Sequence, residues 1–355
     1  MIRSLECAVW RMERSIRWEL RGCRGRWPLD DWRCWRHDHG MDRRVGFVAV
    51  VGVMIAAFVG VARRYRRDLA AAYERLDAVD RAEFSSTLGV IEYADRGAGS
   101  ALLVSHGIFH GCDGGLLAVR DVVEGRRIIV PSRFGYLGST LRHDASSATQ
   151  ADAFAELLDH LAIEQVDVLG ISAGTGAALQ FAIRHPDRIG HLVISSGNLP
   201  GSPTATAPPG WAKTFYNDPA MWILKAVSRP MINRLMGVPG GFPQNDEQAD
   251  VIAELVDSIF PLEPRRAGAV FDAFVSNPEV NAVPLESIAV PTLIVHAVDD
   301  PLASYDAAVR AGERIPGAVL VGLASGGHLA LGQADHVRSE VAAFLESPDR
   351  TRSGA

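Results

Sequence analysis

The hydrophobic residues of this chain fall into short uninterrupted runs, each followed by a longer stretch with helical spacing. Gly89-Val90-Ile91-Glu92-Tyr93, Ala101-Leu102-Leu103-Val104, Arg127-Ile128-Ile129-Val130 and Val166-Asp167-Val168-Leu169 read as strands, as do Pro291-Thr292-Leu293-Ile294-Val295-His296 and Ala318-Val319-Leu320-Val321. Continuous apolar strands separated by helices predict a mostly parallel, doubly wound sheet covered on both faces. Ser147-Ala148-Thr149-Gln150 predicts a capping box for a helix running to about Leu161. The alternation stops between Asn198 and about Pro284, where Pro and Gly from Pro200 to Gly210 precede helical patterns around Ala220–Met236 and Glu247–Ile259. A helical cap over 198–285 is therefore expected between the sixth and seventh strands, with core segments at 85–197 and 286–348.

Upstream, Val45 to Ala62 is an uncharged apolar run long enough to span a bilayer as a helix. Arg43 and Arg44 precede it, and Arg63, Arg64, Arg66 and Arg67 follow, where headgroups would meet them. Gly60-Val61-Ala62 has the small residues of a signal-peptidase site, but Arg63 comes directly after, which favours an uncleaved anchor over 45–62. The lack of a polar face argues against a buried core helix. Residues 63–84 are expected as a stalk helix, and 349–355 as a disordered tail. Residues 1–40, rich in Trp, Arg, Cys and His without periodicity, are expected to be a disordered basic extension or to lie outside the working protein, with Met41 as a natural start. Counted from Met41, the basic bias after the span favours a cytoplasmic domain; counted from Met1, the balance reverses.

At 355 residues and 48% hydrophobic, the chain can bury one large core and a smaller satellite. A net charge of −6, with basic residues gathered at the amino end, gives no reason to expect nucleic acid binding. Of the four cysteines only Cys112 lies in the predicted domain, where a packing role is expected. No zinc spacing or disulfide framework is present.

Gly170-Ile171-Ser172-Ala173-Gly174 lies between an apolar strand and the small-residue helical stretch Thr175–Gln180. A serine in such a strand–turn–helix is held with its hydroxyl outward, and small flanking residues let neighbouring chain pass close by. A nucleophilic serine needs a base and an orienting acid. His328 follows Gly326-Gly327 on a loop just after a strand, and Asp299-Asp300 stands at the carboxyl end of another. His106, His110, His143, His160, His185, His191 and His296 are expected to be structural. Arg133, after the Arg127–Val130 strand, is expected as a satisfied loop arginine.

These motifs, with Ser105-His106-Gly107-Ile108 and His185-Pro186-Asp187-Arg188, resemble the α/β-hydrolase superfamily from about Thr87 to Glu346. The Ser, Asp, His order is the one associated with Gly-x-Ser-x-Gly turns. The resemblance implies a catalytic set of Ser172, Asp300 and His328, with Asp299 a local turn residue. The family's acid pattern is departed from at Ala297 and Ser304. It also implies an oxyanion site made by the backbone N–H groups of Ala173 and Ile108. No cofactor or metal is implied. The expected activity is a serine hydrolase cleaving small apolar esters through an acyl-enzyme on Ser172. Amide or carbon–carbon hydrolysis and a ligand-sensing protein on the same fold are the alternatives. Core filling is the default for most of the cap's large side chains, among them Trp211, Phe215, Trp222, Met231 and Met236; if several line the cleft, the acyl or leaving group is apolar.

Overall fold

The computed structural model describes residues 43–347. The expected amino-terminal extension and carboxy-terminal tail lie outside the described residues. The chain divides into two compact units at Arg63/Arg64. In the first unit the described residues are helical, and from Phe47 on they are almost all exposed. They open helix α1, Arg43–Asp77, which from Phe47 onward is long and apolar enough to cross a membrane.

The second unit is built on an eight-stranded sheet: β1 (Ala82–Ser86), β2 (Gly89–Arg96), β3 (Ala101–Ser105), β4 (Arg127–Pro131), β5 (Val166–Ile171), β6 (Ile189–Ser195), β7 (Thr292–Ala297) and β8 (Val319–Leu323). Their order is β1-β2-β4-β3-β5-β6-β7-β8. β1 and β2 pair antiparallel, as do β2 and β4, and the other pairs are parallel. α1 stops at Asp77 and β1 occupies the end of the stretch expected as stalk helix. As an edge strand β1 buries little, so Ala82-Glu83-Phe84-Ser85-Ser86 carries no apolar run to betray it.

Side chains alternate between the two faces of the sheet because successive Cβ atoms of a strand point to opposite sides. Leu103, Val168, Leu192 and Ile194 pack on one face, in the same cluster as the buried side chains of α3 (Ser147–His160) and α4 (Thr175–Arg184). Leu102, Val104, Leu169, Val193 and Val295 pack on the other, with Cys112 and Val119 of α2 (Cys112–Val119). The box that starts α3 sits one residue earlier than the sequence pattern placed it. Ser146 is the N-cap, exchanging hydrogen bonds with Thr149, while the Gln150 side chain turns inward to accept from the Phe134 N–H.

Between β6 and β7 the chain leaves the sheet for α5 (Asp218–Val227), α6 (Arg229–Leu235), α7 (Asp246–Ile259) and α8 (Arg266–Phe271), followed by a π-helical turn at Asp272–Ser276. The single helical pattern around Ala220–Met236 is two helices. Pro230 has no N–H to continue the ladder, and the Ser228 side chain caps α6 by accepting from Met231. A third cluster, including Met221, Ile232, Ile252, Val256 and Phe260, packs these helices on Phe109 and Tyr136 of the core.

Candidate active site

From β3 the chain moves to β4 on one side, and from β5 to β6 on the other. The crevice at the carboxyl ends of β3 and β5 is thus the place where open α/β sheets bind ligands. Ser172 follows β5 there, and the His106-Gly107 turn follows β3.

Ser172 has φ of 49°, a left-handed conformation that strains a non-glycine residue and persists only where the surroundings hold it. The flanking glycines explain how. A Cβ on Gly174 would run into the backbone oxygens of Ser105 and His106, and one on Gly170 would stand 2.8 Å from the Ala178 Cβ. β3 and α4 can close on the turn only because both positions lack side chains.

The Ser172 Oγ is 2.9 Å from His328 Nε2, and His328 Nδ1 is 2.8 Å from Asp300 Oδ2. An ionised carboxylate only accepts, so Nδ1 carries the imidazole proton and Nε2 is left to accept from the serine hydroxyl. Burial pushes the Asp300 carboxyl up, but hydrogen bonds from His296 and His328, then the charge of His328, outweigh it and hold it well below the usual carboxylate range. Its other oxygen accepts from the backbone N–H groups of Leu302 and Ala303.

Two neighbours take roles that the sequence did not suggest. His296, expected only to end a strand, lies with Nε2 3.0 Å from the Ala303 carbonyl and 3.3 Å from Asp300 Oδ2. Both are acceptors, so Nε2–H donates to them and fixes the carboxylate from behind. Its position four residues before Asp300 was the available signal. Asp299 sits in the turn after β7, as expected, but its side chain reaches out of it. Its carboxylate accepts from the N–H groups of Gly326 (3.3 Å) and Gly327 (2.8 Å), pinning the loop that carries His328.

The turn after β3 is held just as firmly. His106 is buried, and its Nε2 accepts from the Arg133 backbone N–H at 2.9 Å, which places its own proton on Nδ1, 2.8 Å from the Gly107 carbonyl. Burial, then the Arg133 charge, lowers its pKa well below the ordinary histidine value, so it stays neutral. Arg133 Nε donates to the His106 carbonyl (2.9 Å), and the guanidinium forks onto both oxygens of Asp272. The Tyr136 hydroxyl donates to Asp272 and accepts from the Phe109 N–H. Arg133 is the satisfied arginine anticipated, but its partner comes from the π-helical turn beyond α8, 139 residues away. No local pattern could have supplied it.

Gly107 abuts the serine, since a Cβ built on it would lie 3.5 Å from that of Ser172. Ile108 and Ala173 both line the cavity over the serine. Ala173 stands in the first turn of a helical segment, where backbone N–H groups lack intrahelical partners. That cavity is about 790 Å³, lined by Ser172 and His328, by apolar residues including Leu117, Val251, Leu255 and Leu331, and by polar ones including Asn198, Gln248 and Glu254. Met236 contributes to it, but Trp211, Phe215, Trp222 and Met231 do not. The apolar lining therefore comes mostly from aliphatic residues rather than from the large side chains the sequence drew attention to. His110 also lines the cavity, and burial lowers its pKa to about 4, so it is neutral. Cys112 is buried at the start of α2, its thiol pushed up to about 12 by burial. Among the described residues no cluster of His, Cys, Asp and Glu could hold a metal ion.

A sequence profile of the alpha/beta hydrolase fold matches residues 100–335. The chain is 31% identical over 272 residues to the hydrolase YcgS of Bacillus subtilis, covering 73% of this chain and 96% of that one. It is 29% identical over 237 residues to a 2-hydroxymuconate semialdehyde hydrolase of Pseudomonas putida, covering 64% and 80% of the two chains. Among solved structures, an alpha/beta hydrolase fold protein from Nakamurella multipartita superposes with a TM-score of 0.64 at 26% identity, covering 75% of this chain and 99% of that one. An esterase from Exiguobacterium antarcticum shares the fold, with a TM-score of 0.57 at 18% identity over 75% of this chain and 99% of its own. The chain belongs to the α/β-hydrolase fold family and is a hydrolase of that fold.

Proposed function

We propose that the protein is a serine hydrolase that cleaves esters of apolar acids through an acyl-enzyme on Ser172. The observation that carries this reading is the unbroken line from Asp300 through His328 to the Ser172 hydroxyl, which lines a cavity whose apolar part is mostly aliphatic. As Oγ attacks the ester carbonyl, its proton passes to His328 Nε2 and Asp300 stabilises the imidazolium. The N–H groups of Ala173 and Ile108 receive the oxyanion, each worth about 3 kcal/mol to the transition state. The tetrahedral species collapses, and the leaving alcohol takes the proton from Nε2. Water then attacks the acyl-enzyme, gives its proton to Nε2, and returns serine and free acid.

A fluorophosphonate probe tests the nucleophile. Labelling at Ser172 is expected, and labelling that persists in Ser172→Ala rejects the site. Rates on esters of graded acyl length are expected to rise with apolar length. A second reading, hydrolysis of a carbon–carbon bond next to a ketone, is favoured by the likeness to the 2-hydroxymuconate semialdehyde hydrolase. Turnover of a meta-cleavage dienoate with none of the esters would select it.

A further inference from the structure

The large side chains that leave the cavity to aliphatic residues have a different destination. Trp211, Phe215, Ile223, Val227 and Met231 are 54% to 78% exposed, all within one stretch of the excursion between β6 and β7. Trp211 and Phe215 meet edge to face, their ring centroids 5.9 Å apart. Ile223 and Val227 lie four apart on α5 and so share a face. Scattered exposed apolar residues need no explanation, whereas several gathered in one segment mark an interaction surface.

The exposed charges of this stretch are all basic. Lys213, Lys225, Arg229 and Arg234 are exposed, in a chain of net charge −6. From Trp211 to Leu235 the only acid is Asp218, which is buried and accepts from the Leu262 and Glu263 N–H groups. Lys225 pairs with Asp257 and Lys213 lies over the Phe274 ring, while Arg229 and Arg234 make no ion pair among the described residues. Aromatic and aliphatic residues interleaved with exposed cations, two of them without an ion pair among the described residues, are the composition that binds at an anionic lipid surface.

Chain continuity points the same way. Trp222, on α5, stacks edge-on against Tyr65 at 5.5 Å and donates its ring N–H to Asp68 at 3.0 Å. Tyr65 comes three residues after Ala62, where the uncharged run ends.

We propose that this face docks on the headgroup region of an anionic lipid bilayer, so that the hydrolase takes its acyl esters from the membrane. α6 links the two properties, because Met231 and Arg234 are exposed on it while Leu235, its last residue, lines the cavity. The substrate class rests on the hydrolase reading; the docking does not.

The test uses the full chain with Cys7, Cys23 and Cys34 changed to Ser, reconstituted in phosphatidylcholine–phosphatidylglycerol vesicles. An environment-sensitive fluorophore is attached through Val227→Cys or, as a control, through Asp187→Cys, exposed in the turn before β6 at the amino ends of the parallel strands. Blue-shifted emission quenched by nitroxide lipids at 227 but not at 187 is expected. Equal water exposure at both positions overturns the proposal. A blue shift at 227 that lipid nitroxides do not quench also overturns it, since the face would then be covered by protein. A Trp211→Ser, Phe215→Ser, Val227→Ser variant should keep its turnover of a soluble short ester, none of the three lining the cavity, and lose about tenfold on an ester dissolved in the vesicles. Equal losses on both esters count against the proposal. If no ester is turned over, the hydrolase reading fails while the quenching still decides the docking.

Discussion

Removing Asp272 isolates a charge in the interior. Arg133 is 2% exposed and Asp272 wholly buried, and the pair ties the turn after β3 to the π-helical turn beyond α8. Asp272→Ala leaves the guanidinium without a counter-charge, which for a buried pair costs about 3–5 kcal/mol. It also strips the Tyr136 hydroxyl of its acceptor, adding about 1–3 kcal/mol. At roughly 2–4 °C per kcal/mol for a large domain, these losses should lower the melting temperature by about 10–30 °C. Arg133→Met should cost a similar amount, because it leaves the carboxylate alone. The double variant Arg133→Met, Asp272→Ala removes both charges and should lose less than either single change. What remains, about 2–6 kcal/mol, reflects the His106 carbonyl that Arg133 Nε no longer reaches and the Tyr136 hydroxyl left without its acceptor. Urea unfolding followed by circular dichroism at pH 7 gives all the corners of the cycle, and a coupling of at least about 2 kcal/mol is expected. If Asp272→Ala lies within about 1 kcal/mol of wild type, or the coupling is near zero, the pair does not hold the turn.

Three further outcomes follow from the same geometry. Because the folded Asp300 carboxyl is depressed, its stabilisation is complete above the unfolded value of about 4 and is lost as pH falls. Asp300→Asn should therefore be less stable than wild type at pH 7, with the gap in urea midpoint narrowing below pH of about 4; a gap that widens toward acid contradicts the assignment. Gly174→Ala drives a methyl into the Ser105 backbone oxygen, which cannot yield without moving β3, so a loss of about 1–3 kcal/mol and a fall in kcat are expected. A wild-type melting curve for that variant would show that the turn has slack. Native protein treated with iodoacetamide at pH 8 should leave Cys112 unalkylated by peptide mass spectrometry, while denatured protein should not; rapid native labelling would mean that α2 opens.

Much of the fold was legible because its strands are buried on both faces, and burial on both faces leaves a continuous apolar run. Where burial is slight the signal vanishes, as at β1, where of Ala82–Ser86 only Phe84 and Ser86 are even partly covered. Local chemistry was legible too. Gly170-Ile171-Ser172-Ala173-Gly174 announces its turn because a strained serine and two close backbone approaches leave few residue choices, and Gly326-Gly327 before His328 takes positive φ at both positions. Tertiary structure decided whatever depends on partners distant in the chain. It made the turn residue Asp299 the clamp on the His328 loop as well, and set His296 behind Asp300. It joined Arg133 to Asp272 across 139 residues. It also sent Trp211 and Phe215 outward and left the cavity to aliphatic side chains. Composition records that a residue is apolar or charged; only the packed chain determines which surface or partner it meets.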